Sequence, residues 1–210
     1  MRRFIIFAII MKKIKNIAIF CGSSVGGNAE YARETKELVK EIHKIGASII
    51  YGGGCTGIMG VVADESIKLG VNIVGVVPSF FMNENVVHKD LNELILTKTM
   101  SERKNIIFEK ADACIVLPGG FGTFDELFEA LTYVQLGLKE MPIGLLNAGG
   151  YYDVLIKMLS VAVDEKFVKK EHLRAIVSSS KASELIDLMQ NSEYKAPENW
   201  IEKLVQKNSF

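Results

Sequence analysis

The chain has 210 residues, with 25 basic and 25 acidic side chains and no net charge at neutral pH. That balance excludes the strongly basic surface of a nucleic-acid groove or of a protein that coats anionic membranes, and favours a small-molecule ligand. Hydrophobic residues make up 49% of the chain and no segment is low in complexity, which is enough apolar material for one large core.

The first stretch, MRRFIIFAIIMKKIK, has a basic start and an apolar run from Phe4 to Met11. The run is far short of the roughly 20 residues that a membrane-spanning helix needs, and no small-residue cleavage site follows it. Met11 opens MKKIKNIAIFCGSS, which reads as the start of a domain. Residues 1–13 are therefore expected to lie outside the fold, residues 14–190 to form a single domain, and 191–210 to be a polar tail with a short helix around Trp200 to Val205.

From Ile14 onward, short apolar runs alternate with longer amphipathic ones. Ile17–Phe20, Ser48–Tyr51, Asn72–Val77, Ala113–Leu117, Ile143–Leu146 and Ala175–Ser178 read as strands. They are continuously apolar, as strands covered on both faces are. Helical patterns lie between them; in Glu30–Ile45, for instance, Leu38, Ile42 and Ile45 share a face and Gly46 closes the helix. The alternation predicts an α/β, Rossmann-like doubly wound parallel sheet with helices on both faces. Ligands of such folds sit beyond the carboxyl ends of the strands. Three glycine-rich loops fall there: Cys21–Asn28, Gly52–Gly60 and Pro118–Thr123.

Gly52, Gly54 and Gly57 match GxGxxG, but the region where a ribose-binding acid belongs is Val76-Val77-Pro78. No loop ends in Gly-Lys-Ser or Gly-Lys-Thr, so a P-loop is also excluded. What remains is a nucleotide-type site in which backbone N–H groups and a helix N-terminus meet an anion. The glycines are also compatible with tight turns and close packing alone. Cys21, Cys55 and Cys114 show no CxxC spacing, and His43, His88 and His172 are equally scattered, so no metal is predicted and a reducing cytoplasm is.

Two stretches carry candidate chemistry. Thr123-Phe124-Asp125-Glu126 fits a capping box, in which Thr123 caps a helix and Glu126 reaches back to the backbone, and Asp125 suits the positive end of the helix dipole. Thr99–Glu102 fits a second box. Arg103 and Lys104 follow near the first turn, where cations oppose the dipole by about 0.3–1 kcal/mol each. Their place at the ligand edge suits a phosphate or an electron-rich leaving group.

PGGFGTFDE (Pro118–Glu126) fits the PGGxGTxxE signature, and the chain resembles the LOG family, the cytokinin riboside 5′-monophosphate phosphoribohydrolases often mislabelled lysine decarboxylases. FCGSS (Phe20–Ser24), YGGGCTGIMG (Tyr51–Gly60), Met100-x-x-Arg103-Lys104, ELFEALTYVQLG (Glu126–Gly137) and LLNAGGYYD (Leu145–Asp153) extend the likeness over about residues 15–190. The resemblance implies a cytoplasmic homodimer that needs no cofactor and hydrolyses the N-glycosidic bond of a purine or cytokinin-type nucleoside 5′-monophosphate. It places Arg103 and Glu126 as the catalytic pair and Gly119, Gly120, Gly122 and Thr123 on the phosphate. Lys104, Met100, Ser24 and Gly54 are further substrate-binding candidates, with Ser23 beside them. One departure bears on substrate preference: MNENVVH (Met82–His88) puts Asn85 where the family often has Glu, with Glu84 adjacent. The alternative function is a non-catalytic carrier of a nucleotide or a molybdenum-cofactor-like ligand on the same fold. Pyridoxal-dependent decarboxylation would need a Schiff-base lysine in a recognisable site, and none is evident.

Overall fold

A computed structural model describes residues 14–84 and 86–192. The proposed tail helix, the N-terminal extension and Asn85 lie outside the described residues. Seven strands form one parallel sheet: β1 (Asn16–Phe20), β2 (Ser48–Tyr51), β3 (Ile73–Pro78), β4 (Glu93–Thr97), β5 (Ala113–Val116), β6 (Ile143–Leu146) and β7 (Ile176–Ser179). Five α-helices connect them, α1 (Ala29–Ile45), α2 (Gly57–Leu69), α3 (Met100–Lys110), α4 (Phe121–Gln135) and α5 (Asp153–Asp164); α6 (Ala182–Gln190) follows β7, and a short 3-10 turn, Ser79–Glu84, joins β3 to β4. The strand order is β4-β3-β2-β1-β5-β6-β7, so the chain winds outward first in one direction from β1 and then in the other from β5. The loops after β1 and β5 therefore diverge and leave a crevice between them, the switch point where ligands bind in such sheets.

The alternation of side chains along β1 divides the core into two layers. Ile17 and Ile19 join Leu38 and Ile42 of α1, Val62 of α2 and Leu185 of α6. Ala18 and Phe20 point to the other face and join Ile107 and Phe108 of α3 with Leu127 and Val134 of α4. Each large side chain fully buried in this way contributes about 1.5–3 kcal/mol. That double coverage is why these strands read as unbroken apolar runs.

All six expected strands agree with the structure to within one residue at each end, and Ser48–Tyr51 and Ile143–Leu146 match exactly. Ala175–Ser178 is shifted by one residue to Ile176–Ser179. β4 is the strand the sequence reading missed. It lies at the sheet edge on β3 alone, and its Leu94 and Leu96 remain 38% and 52% exposed. The helix α1 is capped at its start by Asn28, whose side chain accepts from Glu30 N at 2.9 Å, and is closed by Gly46 with φ 68°, as the glycine predicted.

Glu34 of α1 fastens this helix to the start of α6. Its carboxylate is buried and accepts from Lys181 Nζ at 3.0 Å, Ala182 N at 3.3 Å and Arg33 at 3.4 Å. Burial pushes its carboxyl up, but the Lys181 bond, the Ala182 N–H and Arg33 together hold it below the usual range. A depressed folded-state value gives stability above the unfolded pKa that is lost as pH falls through the folded one. Glu34→Gln is accordingly expected to lower unfolding stability at pH 7 by about 1–2 kcal/mol, because Lys181 is half exposed and its bond is screened. Denaturant titrations should show that the gap to the wild type narrows in acid.

No helix among the described residues is long and apolar enough to cross a membrane.

Candidate active site

The crevice holds a cavity of about 450 Å³. Its lining draws on the loop after β1 (Cys21, Gly22, Ser23), the loop after β2 (Gly52–Gly54) and the start of α4 (Gly120–Thr123). An apolar wall of Val77, Pro78, Phe81, Val86, Val87 and Met59 completes it. Segment 86–88 of this wall is held against the loop after β2 by backbone bonds, Cys55 N to Val86 O at 2.8 Å and His88 N to Gly53 O at 2.9 Å. Glycine-rich backbone and apolar side chains thus share the lining, the usual make-up of a small-molecule pocket.

Arg103 and Glu126 meet at the base of the cavity. Arg103 Nη1 donates to Glu126 Oε1 at 2.8 Å, and Arg103 Nε donates to Val76 O at 3.1 Å. Both side chains are at least nine-tenths buried. Arg103 reaches this position because Gly52 has no side chain: a Cβ there would sit 2.2 Å from Arg103 Nη2. Burial pushes the Glu126 carboxyl above its usual range; the charge and hydrogen bond of Arg103 oppose this without cancelling it. None of the described residues donates to Glu126 Oε2. The pair therefore presents a fixed, poorly solvated carboxylate beside a guanidinium, with one oxygen uncommitted.

The capping box expected at Thr123–Glu126 is not formed. Helix α4 starts three residues earlier than a Thr123 cap would set, at Phe121, with Gly120 as its N-cap, so Thr123 lies inside the first turn. Glu126 is a turn further along and faces the cavity and Arg103 instead of its own backbone. At α3 the same pattern does cap: Thr99 Oγ1 accepts from Glu102 N at 3.1 Å. The Glu102 carboxylate accepts from Lys98 N at 2.7 Å, one residue beyond the position a capping box uses.

Of the expected substrate-binding residues, Gly120, Gly122, Thr123, Met100 and Gly54 line the cavity, as does Ser23. Gly119, Lys104 and Ser24 do not. Gly119 lies behind the wall, where a Cβ would meet Thr123 Oγ1 at 2.1 Å and Gly22 N at 2.8 Å, so its role is close packing that lets the turn fold. Lys104 is turned to two acids, Asp125 at 2.8 Å and Glu129. Burial lowers its pKa, yet the Asp125 and Glu129 bonds outweigh this and keep the ammonium charged. The Ser24 hydroxyl accepts from Gly26 N at 3.3 Å within its own loop, which leaves Ser23 as the lining serine. Asp125, expected only to favour the helix start, also borders the cavity.

The sequence reading passed over Gly52 as a space for arginine, and over the apolar wall. No local signal marks either, because their partners are far away in the chain.

The fold and cavity define an α/β protein with a nucleotide-type crevice, in which a helix N-terminus stands beside a buried arginine–glutamate pair. A family model described as possible lysine decarboxylase matches residues 59–189. The cytokinin riboside 5′-monophosphate phosphoribohydrolase LOG2 of Arabidopsis thaliana is 35% identical over 197 residues, which span 94% of this chain and 92% of that one. The corresponding LOG protein of Oryza sativa subsp. japonica is 38% identical over 174 residues, 83% of this chain and 72% of its own. The chain belongs to the LOG family. Among solved structures, the molybdenum cofactor binding protein of Rippkaea orientalis is similar with a TM-score of 0.62 at 20% identity, over 86% of this chain and 97% of that one. The molybdenum cofactor carrier protein of Chlamydomonas reinhardtii gives 0.62 at 17%, over 91% and 98%. At that distance they share the fold.

Proposed function

We propose that this chain hydrolyses the N-glycosidic bond of a purine or cytokinin-type nucleoside 5′-monophosphate, releasing the base and ribose 5-phosphate. The observation that carries the reading is the buried Arg103–Glu126 contact at 2.8 Å, set in a cavity whose adjoining wall is the N-terminus of α4. Relatives 35–38% identical that are named for this reaction support it.

Cleavage of the C1′–N bond sends the bonding pair to the base and leaves positive charge on C1′ and O4′. The Glu126 carboxylate faces that charge, and its uncommitted oxygen orients the water that adds to C1′. Water supplies hydroxide to the sugar and a proton, finally, to the base. Arg103 keeps Glu126 in place and polarises the leaving group or the sugar hydroxyls; it stays protonated throughout. The 5′-phosphate docks on the N–H groups at the start of α4, where the helix dipole favours an anion, and its remote binding energy fixes the sugar. The apolar wall takes the base. A homodimer is part of the same proposal, supported by an exposed apolar row on α5, Val154, Met158 and Val161.

The phosphate carries the test. Removing it forfeits at least two charge-assisted bonds, so kcat/KM for adenosine should fall about a hundredfold or more below that for AMP. Comparable turnover of the two, read as free adenine by chromatography, would refute the scheme. A tight nucleotide complex that releases no base would restore the carrier reading.

A further inference from the structure

We infer that Tyr151 and Tyr152 are positioning residues that set the direction of the backbone N–H groups at the turn into α4. The inference rests on the reading of that turn as the site of a 5′-phosphate.

Three successive carbonyls of the turn are each taken by a donor from outside it. The hydroxyl of Tyr152 donates to Leu117 O at 2.6 Å, Gly22 N donates to Pro118 O at 3.1 Å, and the hydroxyl of Tyr151 donates to Gly119 O. The chain has no cis peptide among the described residues. In a planar trans peptide the C=O and the following N–H point in opposite directions. Holding Pro118 O toward Gly22 therefore turns the Gly119 N–H away from it, and holding Gly119 O toward Tyr151 turns the Gly120 N–H away from the tyrosine. Gly120 lines the cavity. Among the described residues, the N–H groups from Gly119 to Thr123 donate to no protein acceptor. Residue 118 is proline and has no N–H, so Tyr152 fixes the entry of the turn and Tyr151 aims a donor.

A Gly-Gly peptide needs such bracing. With no Cβ on either side it rotates among several backbone conformations at little cost, and each rotation would move an N–H off the anion. A hydrogen bond to the carbonyl on the far side selects one orientation before ligand arrives, which is preorganisation of an electrostatic site. Burial pushes the Tyr152 phenol well above its usual range, so it remains a donor at any working pH.

The rings are held independently of their hydroxyls. Tyr151 stacks on Phe124 of α4 at 6.5 Å and 4°, and meets Tyr31 of α1 and Tyr152 edge-on at 5.6 Å and 5.0 Å. The backbone below them is fixed by Asn147, whose Oδ1 accepts from Tyr152 N at 2.6 Å while its Nδ2 donates to Asp153 at 2.7 Å. Tyr151→Phe consequently removes one O–H and leaves the aromatic cluster in place.

The test compares the wild type with Tyr151→Phe and with Tyr31→Phe, which removes a hydroxyl from the same cluster without touching the turn. Titration calorimetry gives the Kd of ribose 5-phosphate, and steady-state kinetics give KM and kcat for AMP. Tyr151→Phe should weaken ribose 5-phosphate and raise KM by about fivefold to twentyfold, the worth of one hydrogen bond, with kcat within twofold of the wild type. Tyr31→Phe should change none of the three. Unchanged ribose 5-phosphate affinity in Tyr151→Phe would overturn the inference, and so would a parallel fall in kcat, which would mean a general loosening of the site. A wild type that binds ribose 5-phosphate but releases no base would remove the proposed reaction and leave the brace to be judged by the Kd values. A wild type that does not bind it overturns the brace together with the phosphate reading.

Discussion

Glu126→Gln is expected to lower kcat/KM for a nucleoside 5′-monophosphate by about two to four orders of magnitude while the protein remains folded. Glutamine keeps the shape of the side chain and can still accept from Arg103, so the cavity retains its walls. What disappears is the negative charge opposite C1′. The wild type should also show an acid limb set by this group. Burial, only partly opposed by Arg103, lifts the Glu126 carboxyl, and the active form is the carboxylate, which exists above that raised pKa. Activity should therefore fall with decreasing pH at values above the roughly 4.3 of an ordinary glutamate. The Gln variant should lack that limb in its residual rate. Near-normal turnover by a folded Gln variant would remove Glu126 from the chemistry.

Gly52→Ala should be nearly as damaging, though residue 52 forms no bond to any reacting group in the proposed scheme. A Cβ at this position falls 2.2 Å from Arg103 Nη2 and 3.4 Å from Cζ. A guanidinium at the end of a long side chain can move aside, so folding should survive with a melting temperature close to the wild type. The displacement breaks the Arg103 bonds to Val76 O and Glu126, and a misplacement on the ångström scale corresponds to about a hundredfold in rate. Steady-state kinetics with a parallel thermal melt separates this outcome from simple instability. A variant with full activity would show that Arg103 need not occupy the place it has here.

The sheet was legible because its strands are sandwiched. Ile17 to Phe20 are each 1% exposed or less, and such runs have no competing explanation in a chain that alternates them with amphipathic helices. β4 was not, since an edge strand with Leu94 and Leu96 half in solvent lacks that continuity. The helix starts are more instructive. Thr99–Glu102 and Thr123–Glu126 carry the same Thr-x-x-Glu spacing, yet Thr99 caps its helix and Thr123 does not. Gly120 takes the N-cap of α4, which carries Glu126 past the capping position and round to Arg103, a partner on another helix. Local spacing holds no information about that partner. The same limit applies to Gly52, where the glycine pattern suggested a turn near an anion and the structure adds an arginine filling the missing side chain. Gly119 and Lys104, expected on the substrate, lie just outside the cavity lining, one as packing under Thr123 and the other paired with Asp125 and Glu129.

The most direct test of the proposed reaction is to incubate the purified wild-type protein with AMP and its N6-substituted analogues and to quantify both products by chromatography. Free base and ribose 5-phosphate should appear in equal amounts and increase together with time, from the monophosphates and not from the corresponding nucleosides. Nucleotide recovered intact after prolonged incubation, or base released equally well from unphosphorylated nucleosides, would contradict it.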